Sequence, residues 1–159
     1  MEGEKTREAT YTHITTESIQ STLPSFTGKI MQVPPAFSAL KKDGKTMYKE
    51  ARKGKTAEDL GIPPREVEVY SLEYIPTDEK GDSFPPSFGL NVSCGKGTYI
   101  RSLVRDIGQS LDSAATMSGL IRTQQGPFEL EHCLHRDDWT PDNIYAAIKN
   151  ANENILSSS

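Results

Sequence analysis

Three groups of residues could carry chemistry. The first is Gly95-Lys96-Gly97, followed by Thr98-Tyr99-Ile100-Arg101. A glycine turn that opens a helix offers free backbone N–H groups, and with Lys96 and Arg101 beside it this one favours an anion or a carboxylate. It lacks the third glycine of a dinucleotide fingerprint and the Gly-Lys-Ser/Thr ending of a phosphate loop, so a tight turn is the simpler reading. Tyr99 and Arg101 would line a cleft where the chain leaves a strand. Taken alone, they could equally be a packed ring and a surface ion pair.

The second group is His132, Cys133 and His135. Three close ligands without a second cluster fall short of a structural zinc site, which needs four well-spaced ligands. The third is a basic stretch. Residues 28–55 hold Lys29, Lys41, Lys42, Lys45, Lys49, Arg52, Lys53 and Lys55 against Asp43 and Glu50. This stands in a chain of net charge −4, with 18 Lys and Arg against 22 Asp and Glu. Such a segment is either a polyanion contact or a solvated lysine-rich face.

These residues need elements to hold them. Thr16 to Leu23 reads as a short helix capped by Thr16 and stopped by Pro24. Gly28 to Leu40 contains Pro34-Pro35 and must be extended or looped. Asp43-Gly44 signals a turn, and Met47 to Lys53 suits two helical turns ending at Gly54. Val67 to Ile75 reads as a strand whose alternation slips between Val69 and Tyr70, the mark of a bulge. Phe88, Leu90, Val92 and Cys94 alternate cleanly as a second, antiparallel strand. Ile100, Leu103, Val104, Ile107 and Leu111 form one apolar stripe on a helix capped by Thr98. A short helix is expected at Ser113 to Ile121. A last helix is expected at Pro141 to Ile155, with Ile144, Ala147 and Ile148 inward.

The 159 residues suit one domain. The polar start Met1-Glu2-Gly3-Glu4-Lys5, the two cysteines and the lack of a long apolar run lead to the expectation of a soluble intracellular protein without a membrane span.

Two stretches carry a resemblance. One runs through Gly28, Ile30, Gln32, Pro34-Pro35, Phe37-Ser38-Ala39-Leu40-Lys41, Gly44, Tyr48 and Ala51-Arg52-Lys53-Gly54. The other runs from Cys94 through Thr98-Tyr99-Ile100-Arg101-Ser102-Leu103 to Asp106-Ile107-Gly108, with Leu120-Ile121-Arg122 and Gly126 downstream. Together, over about residues 16–130, they resemble the TruB-type tRNA pseudouridine synthases. The segment from Ser38 to Arg52 is closer to the stand-alone tRNA enzymes than to their guide-RNA-dependent relatives.

The resemblance implies an α+β fold, part of a pseudouridine synthase mixed or antiparallel sheet with packed helices and a basic thumb-like insertion. Residues 1–130 would be part of the catalytic domain, with 28–66 as an RNA-clamping insertion, and 131–159 a C-terminal helical extension. It implies isomerisation of the tRNA T-loop uridine without metal or organic cofactor. An aspartate attacks the nucleotide, and the base detaches, rotates and rejoins through carbon. By motif position Arg101 corresponds to the arginine that pairs with the aspartate, Tyr99 to a pocket wall and Leu120 to an apolar pocket contact. Lys41, Lys42, Lys45, Arg52 and Lys53 would meet T-arm phosphates, and Tyr48 would pack or stack.

One departure is decisive for activity. The family's aspartate lies in a Gly-x-x-Asp-Pro-x-Ala-Thr-Gly segment, and residues 1–159 contain none. Asp43 and Asp106 stand in other contexts. The chain is therefore expected to be inactive alone and to need the N-terminal part of the catalytic domain, or else to be a non-catalytic tRNA-binding or folding module. A sheet cut from its neighbours would also expose an unpaired edge.

Overall fold

A computed structural model describes residues 7–38, 41–42, 45–46, 52, 59–76 and 87–155. They fall into two compact units, Met1–Ser118 and Gly119–Ser159.

The first unit is a sheet covered on one face by helices. Helix α1 (Thr16–Thr22) is capped by Thr15, one residue earlier than expected. The Thr15 hydroxyl accepts from the Ser18 N–H and the Ser18 hydroxyl accepts from the Thr15 N–H, so two orphan donors of the first turn are satisfied at once. Pro24 does not halt the chain abruptly. It opens a 3-10 turn, Leu23–Phe26, at a position where its missing N–H costs nothing.

Strand β1 (Gly28–Gln32) follows, then a small hairpin of β2 (Lys41–Lys42) and β3 (Lys45–Thr46). The turn expected at Asp43-Gly44 lies between these two strands and outside the described residues, as does nearly all of the helix expected at 47–53. Strand β4 (Arg65–Ile75) pairs antiparallel with β1 on one side and with β5 (Gly89–Cys94) on the other. Its register with β5 shifts between Val69 and Ser71, at the position where the alternation slips. The bulge keeps Val67 and Val69 on the same covered face as Leu72 and Tyr74 despite the broken period.

That face meets Ile19 and Leu23 from the first helical segment and Leu103 and Ile107 from α2 (Ile100–Ser110). Ile30, Phe88, Leu90, Val92 and Leu111 complete the core, with Tyr74 and Phe88 stacked at a ring separation of 6.1 Å. The other face carries Lys29, Met31, Glu66, Glu68, Tyr70 and Glu73, all exposed. Its Lys29–Glu66 pair at 3.5 Å adds little, because both partners stay in water. Among the described residues no strand pairs with the far side of β5. No helix among them is long and apolar enough to cross a membrane.

The helix expected at Ser113–Ile121 does not form; residues 114–123 are non-helical. After α2 the chain reverses through Asp112, whose φ of 52° is left-handed. Ser113 is then tied down twice. Its N–H donates to the Gly108 carbonyl at 2.9 Å and its hydroxyl donates to the Thr10 carbonyl at 2.7 Å. Ala115 lies so close over Gly108 that a Cβ on the glycine would stand 2.5 Å from the Ala115 nitrogen. Anchoring and close approach hold this segment across α2, which a helical course would not allow.

The second unit comprises the hairpin β6 (Gln124–Gln125) and β7 (Phe128–Glu129), two 3-10 turns and helix α3 (Pro141–Asn150), capped by Thr140. The helical run reaches Ile155 as expected, its last five residues, Ala151–Ile155, in π rather than α geometry. Ile144 is 43% and Ile148 56% exposed, so the expected inward face is only partly covered. Phe128, Leu130 and Trp139 of the same unit are exposed as well.

Gly108→Ala should destabilise the chain by about 1–3 kcal/mol, because the neighbour in the way is backbone and must move as a unit. A urea unfolding curve with the midpoint of the wild type would show that the close approach is not needed.

Candidate functional site

The site begins at the glycine turn. The Gly95 N–H donates to the Glu68 carbonyl at 2.8 Å, and a Cβ on Gly95 would meet the Tyr70 hydroxyl at 3.2 Å. The bulged strand thus presses its tyrosine onto the turn. Gly97 has a φ of 82°, which strongly favours glycine. The Thr98 hydroxyl donates to the Gly95 carbonyl at 3.0 Å and closes the turn. It is therefore not the helix cap. Tyr99 occupies that position, with extended backbone and no capping bond from its own side chain.

From there α2 presents Arg101, Ser102 and Arg105 to the loop that follows β1. Arg101 Nη2 donates to the Phe37 carbonyl at 2.8 Å. Ser102 Oγ donates to the Val33 carbonyl at 2.8 Å, and Arg105 Nη2 donates to the same oxygen at 3.2 Å. Arg105 also pairs with Asp106 at 2.7 Å. A further bond comes from the opposite direction: the Tyr99 N–H donates to Gln32 Oε1 at 2.8 Å. The Pro34-Pro35 loop is thus fastened to the first turns of α2.

Arg101 lies in the first turn of α2, where the helix dipole disfavours a cation. Its side chain is exposed, and among the described residues it has no carboxylate partner. A guanidinium placed against the dipole at an open surface is suited to an anion arriving from outside the described residues.

The expected site residues divide accordingly. Tyr99, half-buried, and Arg101 stand together at the start of α2. Lys41 and Lys42 form β2 and Lys45 begins β3, a few residues beyond the Arg101-bound loop. Arg52 is exposed in a turn. Tyr48 and Lys53 lie outside the described residues. Leu120 belongs to the second unit and is 56% exposed. There, His132 Nδ1 accepts from the Glu129 N–H at 2.9 Å, and His135 Nδ1 lies 3.4 Å from Asp137. No group of three or more His, Cys, Asp or Glu among the described residues could hold a metal ion.

Gln32, Ser102 and Arg105 were not singled out by residue type. The signal was present in one case: Gln32 shares the covered face with Ile30, and a polar residue at an inward position needs a partner.

Comparison with known proteins identifies the family. The family described as TruB family pseudouridylate synthase (N terminal domain) matches residues 1–100. Pseudouridylate synthase TRUB1 of Mus musculus is 47% identical over 148 residues, covering 92% of this chain and 41% of that protein. A tRNA pseudouridine synthase B of Bacteroides fragilis is 44% identical over 129 residues, covering 80% of this chain and 52% of that protein. Among solved structures, the crystal structure of a Cbf5-Nop10-Gar1 complex aligns with a TM-score of 0.57 and 27% identity, over 88% of this chain and 33% of that one. The chain belongs to the TruB family of pseudouridylate synthases, and its fold is α+β. It spans about half or less of the length of these curated relatives.

Ser102→Ala would remove one of the two donors on the carbonyl of half-buried Val33 and should cost about 1 kcal/mol. Equilibrium denaturation reads this, and an unchanged midpoint would show that Arg105 alone satisfies the carbonyl.

Proposed function

We propose that residues 1–159 supply the RNA-gripping and arginine-bearing part of an enzyme that isomerises the T-loop uridine of tRNA to pseudouridine. The observation that carries this reading is Arg101. It is an exposed arginine at the unfavourable end of α2, in the family's second motif, fastened to the loop that leads into the basic segment.

In this reading the uridine is flipped out of the T-loop, since a stacked base cannot be reached. An aspartate contributed from outside residues 1–159 attacks the nucleotide as the base detaches; the base turns and rejoins through carbon, which releases the aspartate, and the proton lost from that carbon is balanced by one gained at the freed ring nitrogen. Arg101 exchanges the Phe37 carbonyl for that aspartate and keeps it ionised, because an adjacent cation favours the charged form. Tyr99 forms a wall of the base pocket. Lys41, Lys42, Lys45, Arg52 and Lys53 neutralise T-arm phosphates, and Tyr48 packs or stacks on the RNA. Residues 28–66 act as the clamp within a catalytic-domain portion spanning 1–130, and 131–159 are an extension. The partners are tRNA and the part of the catalytic domain that bears the aspartate, and the place of work is inside the cell, where tRNA is. The step calls on no metal or organic cofactor.

The lack of the aspartate motif in residues 1–159 favours a second reading, a tRNA-binding or folding module without chemistry. The two separate when the chain is joined to an upstream segment carrying the Asp-Pro motif and assayed for pseudouridine in a T-arm transcript. Turnover is expected only with that segment. Robust turnover by residues 1–159 alone would overturn the need for an outside aspartate, and full binding with no turnover would favour the module.

In the joined enzyme, Arg101→Ala should lower kcat on the order of a hundredfold with a much smaller change in tRNA affinity. A parallel loss of binding would place Arg101 in the RNA grip instead. Reversing charge at Lys41 and Lys42 to Glu should weaken tRNA binding and flatten its salt dependence by about one to two phosphate contacts. Wild-type affinity in that variant would contradict the clamp.

A further inference from the structure

Gln32 is 1% exposed at the end of β1, opposite Arg65. Its side-chain oxygen takes the N–H of Tyr99, the residue that caps α2. Because a backbone nitrogen can only donate, this bond fixes which way the amide faces. The other end of the amide, Nε2, is then sealed from water and has no acceptor among the described residues. A buried donor without a partner is costly. A methionine or leucine of similar volume would avoid that cost, but it would strand the Tyr99 N–H at the start of the helix.

The Tyr99 bond does the work of half a capping box. In such a box the third helical residue reaches back to the cap N–H. Here that residue is Ser102, and its hydroxyl is committed to the Val33 carbonyl. Gln32, 67 residues away in sequence, takes its place. The chain then runs from Gln32 directly into the loop whose carbonyls bind Ser102, Arg105 and Arg101. Gln32 thus meets the start of α2 through its side chain and leads into the Arg101-bound loop through its backbone.

We infer that Gln32 is a positioning residue. Through the Tyr99 N–H it fixes the start of α2, and with it the place and direction of the Arg101 guanidinium. Its catalytic consequence rests on the reading of Arg101 given above.

The test uses the full chain, joined to the aspartate-bearing segment for kinetics, with Gln32→Met and Gln32→Glu. Methionine keeps the volume and loses the acceptor. Glutamate keeps an oxygen for Tyr99 and has no orphan amide donor. Hydrogen exchange at the Tyr99 amide, read by NMR, should accelerate about fivefold or more in Gln32→Met and remain slow in Gln32→Glu. In single-turnover assays Gln32→Met should lower the rate on the order of tenfold or more while KM for tRNA changes less than about twofold, and Gln32→Glu should recover most of the loss.

Wild-type protection at Tyr99 in Gln32→Met overturns the inference. So does an unchanged rate when protection has been lost. If Gln32→Met fails to fold, Gln32→Glu decides: a folded Gln32→Glu with a protected Tyr99 amide and a collapsed rate overturns it as well. If the joined wild-type enzyme makes no pseudouridine, the reading of Arg101 falls, and the positioning role stands or falls on exchange alone.

Discussion

The carbonyl of Val33 sits where β1 has ended, and among the described residues no neighbouring strand is left to satisfy it. A backbone oxygen in that position must find donors or destabilise the fold. It finds two, Ser102 and Arg105, one turn apart on the same side of α2. Much else follows from this requirement. The polar side of α2 must face the loop, so its apolar stripe turns onto the sheet. The loop must pass close to the helix start, which brings the Phe37 carbonyl within reach of Arg101. Prolines at 34 and 35 suit the passage, since each removes a donor that would otherwise need its own partner. The exposed arginine and the covered core are two outcomes of one hydrogen-bonding constraint.

The sheet supplies the second half of the arrangement. Without the bulge between Val69 and Ser71, half of β4 would present its apolar residues to water. With it, Tyr70 is turned over Gly95 and closes down on the glycine turn. The strand pair and the helix are therefore in register before any side chain of α2 is considered. The TruB family assignment and the local geometry meet at this point, because the Gly95-to-Leu103 segment is both the recognisable motif and the hinge between strand and helix.

Periodic elements were legible in the sequence. The alternation of β5, the slip in β4 and the 3-4 spacing of α2 all follow from which side chains must be covered. The residues that join those elements were less so. Thr98 carries a good capping side chain, but its hydroxyl was claimed by the turn, a competition that local sequence does not rank. The non-helical course of residues 114–123 depends on Gly108 lying beneath Ala115, a contact known only once α2 has a neighbour. The apolar spacing of α3 shows which residues share a face but not whether anything covers it, and Ile144 and Ile148 stay exposed. Of the candidate site, Tyr99 and Arg101 were legible through their motif, whereas Gln32, Ser102 and Arg105 owe their roles to partners 67 to 72 positions away.

Those separations have a consequence in time. The Thr10 carbonyl waits for Ser113 and the His13 ring for the Leu111 carbonyl, at separations of 103 and 98 residues. Contacts of such range pay their loop-closure entropy before they return anything, and they form late. During synthesis the N-terminal residues, α1 and the first strand emerge long before α2 exists to receive them. Arg101 and the loop that holds it can become a site only when that last helix docks. The first unit is thus completed from its C-terminal end, and a chain interrupted before residue 100 would carry the basic segment without the structure that anchors it.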